Sequence, residues 1–168
     1  MDFFAHGLWS YIAGYKLKKP LYAVFFGLFP DIISWVVYTL FLLISGGELG
    51  RPVAEEIPRW VFTLYGISHS LIVVTIIFLI IFLIVRKIPL FLWTWPMHIF
   101  MDIPTHRRDF LPTPFLWPLS DWTFPGISWA EPWSIILNYT IIIICLLVIW
   151  TKYGKKLYHH GKRSTKIK

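Results

Sequence analysis

Ionisable side chains interrupt stretches of this chain that are otherwise apolar enough to lie in a bilayer. Four of the six histidines and two aspartates are placed in this way: His6, Asp31, His69, His98, Asp102 and His106. An ionisable group at membrane depth is costly, so by default it marks a functional site. Imidazole nitrogens together with carboxylate oxygens suit zinc or another divalent cation. The sequence therefore predicts a metal site built from these residues.

The clearest pair lies in HIFMDIPTH, residues 98–106. His98 and Asp102 are four residues apart, so both side chains lie on one helix face, one turn apart. His106 follows after four more residues, but Pro104 is expected to end the regular helix, which leaves the direction of His106 open. His69 lies alone in the apolar segment 60–85, where a hydrogen bond to a neighbouring helix carbonyl is an equal alternative to metal ligation.

His6 and Asp31 lie on either side of a Lys-Lys-Pro turn. His6 is twelve residues before Lys18, and Asp31 is twelve residues after Lys19. In an antiparallel helical hairpin both would sit about 18 Å from the turn, at a rise of about 1.5 Å per residue. This matched depth indicates a shared site. Pro30 opens the helix locally and could direct the Asp31 carboxylate inward, although the same pair could form only a kink.

The composition points to a membrane protein. Hydrophobic residues make up 57% of the 168 residues, against about 45–50% in a typical soluble domain. We expect a single all-α integral membrane domain with an N-terminal helix over 2–16 that forms a hairpin with the first span. About four transmembrane helices are expected, at 21–45, 60–85, 88–104 and 134–151, the last two near the lower limit of spanning length. A single cysteine excludes a cysteine-cluster metal site.

The net charge of +7 is explained by membrane topology rather than by nucleic-acid binding. Twelve of the sixteen Lys and Arg residues lie at 16–19, at 86–87 and in the tail 152–168. These are the ends of alternate apolar segments, so the positive-inside rule places them, and both termini, in the cytoplasm of a multi-pass protein in the cell membrane. The basic tail is expected to be solvated, with contact to anionic lipid headgroups as the alternative.

The segment 105–133 is rich in proline and tryptophan and is predicted to form an external interfacial lid. It carries Arg107 and Arg108, whose planar guanidinium groups suit phosphate. Headgroup contact, or pairing with Asp109, is an equal alternative for them. The remaining acids of the segment, Asp121 and Glu131, are expected to be solvated or hydrogen-bonded rather than catalytic.

Several short motifs occur in a consistent order: an early histidine, GLFPD at 27–31, GISHSL at 66–71 and the H-x3-D pair before the proline-rich segment. Together they resemble the bacterial membrane-bound metal-dependent hydrolases, the group that includes the LexA-regulated inner-membrane member. The ligand pattern is also similar to that of zinc-dependent phospholipase C. The resemblance covers residues 1–133 and implies a bacterial inner-membrane location and one or two metal ions. It implies that the metal ligands are His6, Asp31, His69, His98 and Asp102, with Asp102 able to bridge two ions and His106 corresponding less closely.

The favoured hypothesis is a zinc hydrolase that acts on a lipid-derived ester or phosphoester through a metal-activated water. Asp31 or Asp102 would accept the proton, and Arg107 with Arg108 would hold a phosphate. One alternative is a metal ion or proton carrier that uses the same His/Asp cluster, although carriers are commonly built from inverted repeats, which this chain lacks. Another is a structural metal site in a membrane interaction protein. The sequence indicates no particular protein partner.

Overall fold

The computed structural model of the chain describes residues 1–50 and 54–164. The described residues form helices joined by turns and irregular segments, without a strand, so the predicted all-α class is confirmed. The α-helices are α1 (Phe3–Lys16), α2 (Pro20–Asp31), α3 (Val37–Ser45), α4 (Arg59–Ser68), α5 (Leu71–Val85), α6 (Thr94–Thr105) and α7 (Pro132–Ser164). A π-helical turn covers Ile32–Val36, and short 3-10 turns cover Ala54–Glu56 and Leu90–Trp93.

Helices α1 and α2 form the predicted hairpin. The Asp2 side chain caps α1 by accepting a hydrogen bond from the Ala5 backbone N–H at 2.9 Å. Pro20 opens α2 at a position where its missing N–H costs no helical hydrogen bond. Small residues line the contact between the two helices, and a Cβ atom added to Gly27 would lie only 1.8 Å from Ser10 Oγ. The hairpin is therefore packed too closely at this level for any larger residue.

The first long helical segment runs without interruption from Pro20 to Ser45 and is long and apolar enough to cross a membrane. Pro30 lies inside α2 and does not break the segment. Instead the helix widens into the π turn directly after Asp31, and Ser34 Oγ donates a hydrogen bond to the Pro30 carbonyl at 2.8 Å. Such π turns are frequent at functional sites because they redirect side chains without ending the helix.

The predicted uninterrupted helix over 60–85 is wrong. Helices α4 and α5 meet at His69 and Ser70 with a bend of 54°. Ser70 Oγ caps α5 by accepting hydrogen bonds from two of its first backbone N–H groups, at 3.1 and 3.2 Å. On the other side of the break, the Ser68 carbonyl accepts a hydrogen bond from Trp95 Nε1 at 2.8 Å. The backbone groups released by the bend are thus satisfied by new partners, which removes most of its cost.

The prediction of a spanning helix over 88–104 is also wrong. This part of the chain holds a 3-10 turn followed by α6, which has 12 residues. At about 1.5 Å per residue α6 is about 18 Å long, well short of a hydrocarbon core of about 30 Å. Its buried residues include Trp95 and Ile99, which pack with Val74, Phe78 and Leu92 in a hydrophobic core. Helix α6 is therefore apolar because it lies inside the protein.

The second candidate span is Pro132–Lys152 in α7, and only 6% of its apolar 18-residue stretch is buried inside the protein. Together with Pro20–Ser45, this gives two helices able to cross a membrane within the described residues, or three if the bent pair α4 and α5 is a single span. Four spans are not supported. Helix α7 continues to Ser164 through most of the segment predicted as a solvated tail, and residues 165–168 lie outside the described range.

Candidate metal centre

Five of the six predicted ligands converge in the interior. They come from α1, from the end of α2, from the bend between α4 and α5, and from α6, and none is more than 8% exposed: His6, Asp31, His69, His98 and Asp102. Histidine and aspartate are rarely buried to this extent unless they are paired or bind a metal. The sequence separations within the cluster reach 96 residues, so the tertiary fold assembles it.

Three of these side chains have the spacing of metal ligands. His98 Nε2 lies 3.2 Å from His69 Nε2 and 3.1 Å from Asp102 Oδ2. His69 Nε2 lies 3.6 Å from the same carboxylate oxygen. A tetrahedral zinc ion with bonds of about 2.0–2.2 Å separates its ligand atoms by roughly 3.3–3.6 Å. His69, His98 and Asp102 could therefore hold a metal ion.

Asp31 lies beside this trio on the side of a cavity. Its Oδ1 is 3.6 Å from His69 Nε2 and 3.8 Å from His98 Nε2. The side chain also lines a mainly apolar cavity of about 480 Å³. Asp31 is thus placed either to complete the coordination of an ion or to act on a molecule that enters through the cavity.

His6 approaches the cluster from α1. Its ring stacks on the His98 ring with centroids 3.5 Å apart, and its Nε2 is 2.9 Å from Asp102 Oδ1. Within the described structure the other nitrogen, Nδ1, is buried and has no hydrogen-bond partner. A buried polar atom left unpaired costs free energy, so the contacts of His6 with Asp102 and His98 must offset this cost.

Backbone carbonyls fix the orientation of two of the histidines. The Gly27 carbonyl accepts a hydrogen bond from His98 Nδ1 at 2.7 Å, and the Tyr65 carbonyl accepts one from His69 Nδ1 at 3.2 Å. With Nδ1 as the donor, each ring turns an Nε2 lone pair toward the cluster. Metal-binding histidines are commonly held in this way. Neither acceptor is identified by the sequence, although a helix carbonyl was an expected partner of His69 and Tyr65 lies one helical turn before it.

A second possible grouping is His6, Asp31 and His98. It shares His98 with the trio, and since Nδ1 of His98 is bonded to Gly27, both groupings depend on the same Nε2 atom. A single nitrogen lone pair ligates one ion. The two groupings are therefore alternatives, and His6 either replaces His69 and Asp102 as a ligand or holds Asp102 in place through their hydrogen bond.

His106 lies at the rim of the cluster. Helix α6 continues through Pro104 to Thr105, so His106 takes the extended backbone conformation that follows. Its Nδ1 is 3.6 Å from Asp102 Oδ1 and 3.2 Å from Thr113 Oγ1. Burial lowers the pKa of His106 to about 4, although the nearby Asp102 carboxylate raises it. The ring is therefore neutral at neutral pH, with a lone pair available.

The amino group of Met1 also reaches this side of the cluster. It contacts Asp102 Oδ1 and donates a hydrogen bond to Thr105 Oγ1 at 3.1 Å. The two oxygens of Asp102 thus face different neighbours, with His69 and His98 at Oδ2 and His6 at Oδ1. Asp102 therefore links His69 and His98 on one side of the cluster to His6 on the other.

Two adjoining cavities lie beside the cluster. The first has a volume of about 480 Å³ and is mainly apolar, and Asp31 and His106 are part of its wall. The second has a volume of about 390 Å³ and a more polar wall that includes Arg107, Asp109 and Glu131. His106 lines both cavities. The cluster can therefore be approached from an apolar and from a polar compartment.

The structure separates the two arginines predicted to form a clamp. Arg107 lines the polar cavity and pairs with Asp109 at 2.7 Å. Arg108 instead donates two hydrogen bonds to the Thr123 carbonyl, at 3.0 and 2.7 Å. Asp121 is exposed, and Glu131 is half-buried in the wall of the polar cavity. A role in phosphate binding stays a prediction for Arg107, whereas Arg108 is engaged in holding the loop.

The segment between α6 and α7 is irregular but attached to the helices beneath it. The Phe115 carbonyl accepts a hydrogen bond from Leu71 N at 3.0 Å, and Ile127 N donates to the Pro104 carbonyl at 2.9 Å. Phe110 and Trp129 from this segment line both cavities. The segment therefore contributes to the walls of both cavities, and it is attached to the start of α5 and to the end of α6.

Fold and site together define an all-helical protein with helices able to cross a membrane and with a buried His/Asp cluster that could hold a metal ion. Comparison with family models, with curated proteins and with solved structures finds no match to this chain. The function is therefore argued from the chemistry of the site itself.

Proposed function

We propose that this protein is a membrane-embedded, metal-dependent hydrolase, with zinc as the fitting ion, that acts on a lipid-derived ester or phosphoester. The observation that carries the proposal is the buried trio of His69, His98 and Asp102, which is separated from an apolar cavity by a second carboxylate, Asp31. The resemblance of the motifs to membrane-bound metal-dependent hydrolases agrees with this assignment.

The trio is suited to hold a catalytic ion. His69 and His98 present Nε2, and Asp102 presents Oδ2, all within 3.6 Å of one another. Three protein ligands are the usual number at a catalytic zinc, where a fourth position is left for water or substrate. Bound zinc would supply a water of lowered pKa and would polarise the scissile group.

Asp31 is placed to move the proton. Its Oδ1 lies next to both histidines, and the same side chain reaches the cavity wall. The carboxylate accepts a proton as the oxygen of water bonds to the carbonyl carbon or phosphorus, and it returns that proton to the leaving oxygen. The five cluster residues are at most 8% exposed, and this burial strengthens the electrostatic interactions between them. His6 keeps Asp102 in position through its hydrogen bond.

The membrane arrangement is part of the proposal. We infer three lipid-facing spans, which are Pro20–Ser45, the bent pair α4 and α5, and Pro132–Lys152. Helix α1 lies between them, and the chain returns to the opposite face through the 3-10 turn and α6, inside the protein rather than against lipid. The basic residues at 16–19 and 86–87 then lie on one face, which the positive-inside rule assigns to the cytoplasm. The segment 106–131 lies over the site on the opposite face as a lid, and the resemblance favours the bacterial inner membrane.

A structural metal site is the second candidate, because Asp31 is close enough to both histidines to act as a fourth ligand. Cobalt-substituted protein in lipid nanodiscs distinguishes the two. We expect azide to change the visible spectrum, since an open position accepts it, and we expect the zinc form to release product from a membrane lipid extract. A spectrum that azide leaves unchanged, together with no product, would assign the site to structure.

Arg107 and Arg108 provide a matched pair for the polar cavity. Arg107→Gln is expected to raise KM for phosphate-bearing substrates by roughly tenfold, because a charge-assisted hydrogen bond contributes about 1.5–3 kcal/mol. Arg108→Gln is expected to leave KM within about twofold, since its partner is the Thr123 carbonyl. Metal content should be unchanged in both variants. Equal kinetics for Arg107→Gln and wild type would exclude Arg107 from substrate binding.

A further inference from the structure

The apolar cavity has a shape and a lining that the metal site alone does not require. Its volume is about 480 Å³, and its wall includes the rings of Trp35, Tyr65, Phe110 and Trp129. A volume of this size lies within the roughly 300–1,000 Å³ typical of small-molecule sites. Because its wall is mainly apolar, the molecule that fills it must be mainly apolar as well.

The volume fits one acyl chain. A methylene group takes up about as much space as a water molecule in the liquid, roughly 30 Å³, so the cavity has room for on the order of fifteen methylene groups. This is close to one chain of a common membrane lipid, and two such chains would not fit.

The polar groups of the cavity are placed for the head of such a chain. Asp31 belongs to the His/Asp cluster, and His106 lies at the rim between the apolar and the polar cavity. A chain that leaves the bilayer gains little hydrophobic free energy, since lipid tails are already apolar surroundings. The specific attraction between the cavity and the chain must therefore come from the polar end of the chain, and this fixes the orientation of the chain in the cavity.

We propose that the apolar cavity binds a single acyl chain, with the carbonyl end at Asp31 and His106. The tail lies against Phe3, Trp35 and Leu111, which line the apolar cavity but not the polar one. The polar cavity, which shares the His106 wall, then receives the remaining headgroup. This inference rests on the proposed function. It defines the substrate class as a lipid with an acyl chain, and it places the bond at the carbonyl end of that chain next to the His/Asp cluster.

The chain site can be tested by photolabelling, which needs no turnover. The probe is a palmitate analogue with a diazirine at its terminal carbon, added to the full chain in phosphatidylcholine vesicles. We expect labelled peptides that contain Phe3, Trp35 or Leu111, and we expect unlabelled palmitate to compete better than octanoate. Labelling confined to the lipid-facing side of α7 would overturn the proposal.

A substitution that fills the cavity sharpens the test. Ala130 lies in the wall that the apolar cavity shares with the polar one. Ala130→Trp is expected to lower labelling at Phe3, Trp35 and Leu111 by roughly fivefold or more, because the added ring takes up part of the cavity. Ile143→Trp is the control, because Ile143 is 54% exposed on α7, and it should leave the labelling unchanged. Equal labelling in wild type and Ala130→Trp would also overturn the chain site.

The two proposals can fail separately. Cavity labelling in a protein that binds no metal and releases no product would leave the chain site standing and remove the hydrolase. Metal-dependent hydrolysis without cavity labelling would keep the hydrolase and remove the chain site.

Discussion

Asp102→Asn is expected to abolish metal retention and lipid hydrolysis while the protein still accumulates in the membrane. The Asp102 carboxylate contacts two histidines, with Oδ2 at 3.1 Å from His98 Nε2 and Oδ1 at 2.9 Å from His6 Nε2. An amide has one oxygen fewer and carries no charge. Changes beside a metal ligand commonly cost 10–100-fold in metal affinity or activity, so loss of a ligand should cost about 100-fold or more. Elemental analysis of detergent-purified protein measures the retained metal.

The control for this experiment is Asp121→Asn. Asp121 is an exposed carboxylate in the segment between α6 and α7, so the same chemical change there should leave metal content and turnover unchanged. Thermal melting of both variants in the presence of a chelator separates loss of metal from loss of folding. Full metal content and full turnover in Asp102→Asn would show that Asp102 has only a structural role.

The convergence of the site could be predicted where it depends on local helix geometry. The four-residue spacing of His98 and Asp102 places them on one face, and they do lie together in α6. The hairpin placed His6 and Asp31 at the same depth because the rise per residue is fixed. Both placements depend only on distances along a helix, which follow directly from the number of residues between the side chains.

The bend at His69 and the short length of α6 could not be predicted in the same way. Hydropathy does not separate residues buried in protein from residues buried in lipid, so the apolar run over 88–104 resembled a span. The bend is stabilised by groups distant in sequence, such as Trp95 Nε1 at the Ser68 carbonyl and the Phe115 carbonyl at Leu71 N. No local pattern identifies those partners. Serine is a residue type that caps helices, but a serine at position 70 does not by itself predict a break.

The groups that orient the ligands could not be predicted from the sequence either. The Gly27 carbonyl that holds His98 is a backbone atom, and every residue has one. Its position next to His98 depends on how closely α1, α2 and α6 pack, which depends on small residues at a few contacts. Gly27 therefore connects the packing of the hairpin to the chemistry of the cluster.

Gly27→Ala is consequently expected to lower both stability and metal retention. The added Cβ would lie 1.8 Å from Ser10 Oγ and 2.6 Å from Ser10 Cβ, so α1 and α2 must separate. Overpacking of this kind costs about 1–3 kcal/mol. The separation would also move the carbonyl that accepts the hydrogen bond of His98. Thermal melting in detergent and elemental analysis would measure the two effects.

Two further variants test whether the effect of Gly27→Ala comes from its contact with Ser10. Ser10→Gly in the Gly27→Ala background removes both short contacts, so it should restore much of the lost melting temperature and metal content. The recovery should be incomplete, because glycine is up to about 1 kcal/mol less favourable than alanine in a helix. The Ser10 hydroxyl is buried without a hydrogen-bond partner among the described residues, so its removal breaks no hydrogen bond. Gly7→Ala is the matched control on α1, because its Cβ would meet Leu28 at an ordinary 3.6 Å. Wild-type melting and metal content in Gly27→Ala would contradict the close packing of α1 on α2, and with it the support of His98 by the Gly27 carbonyl.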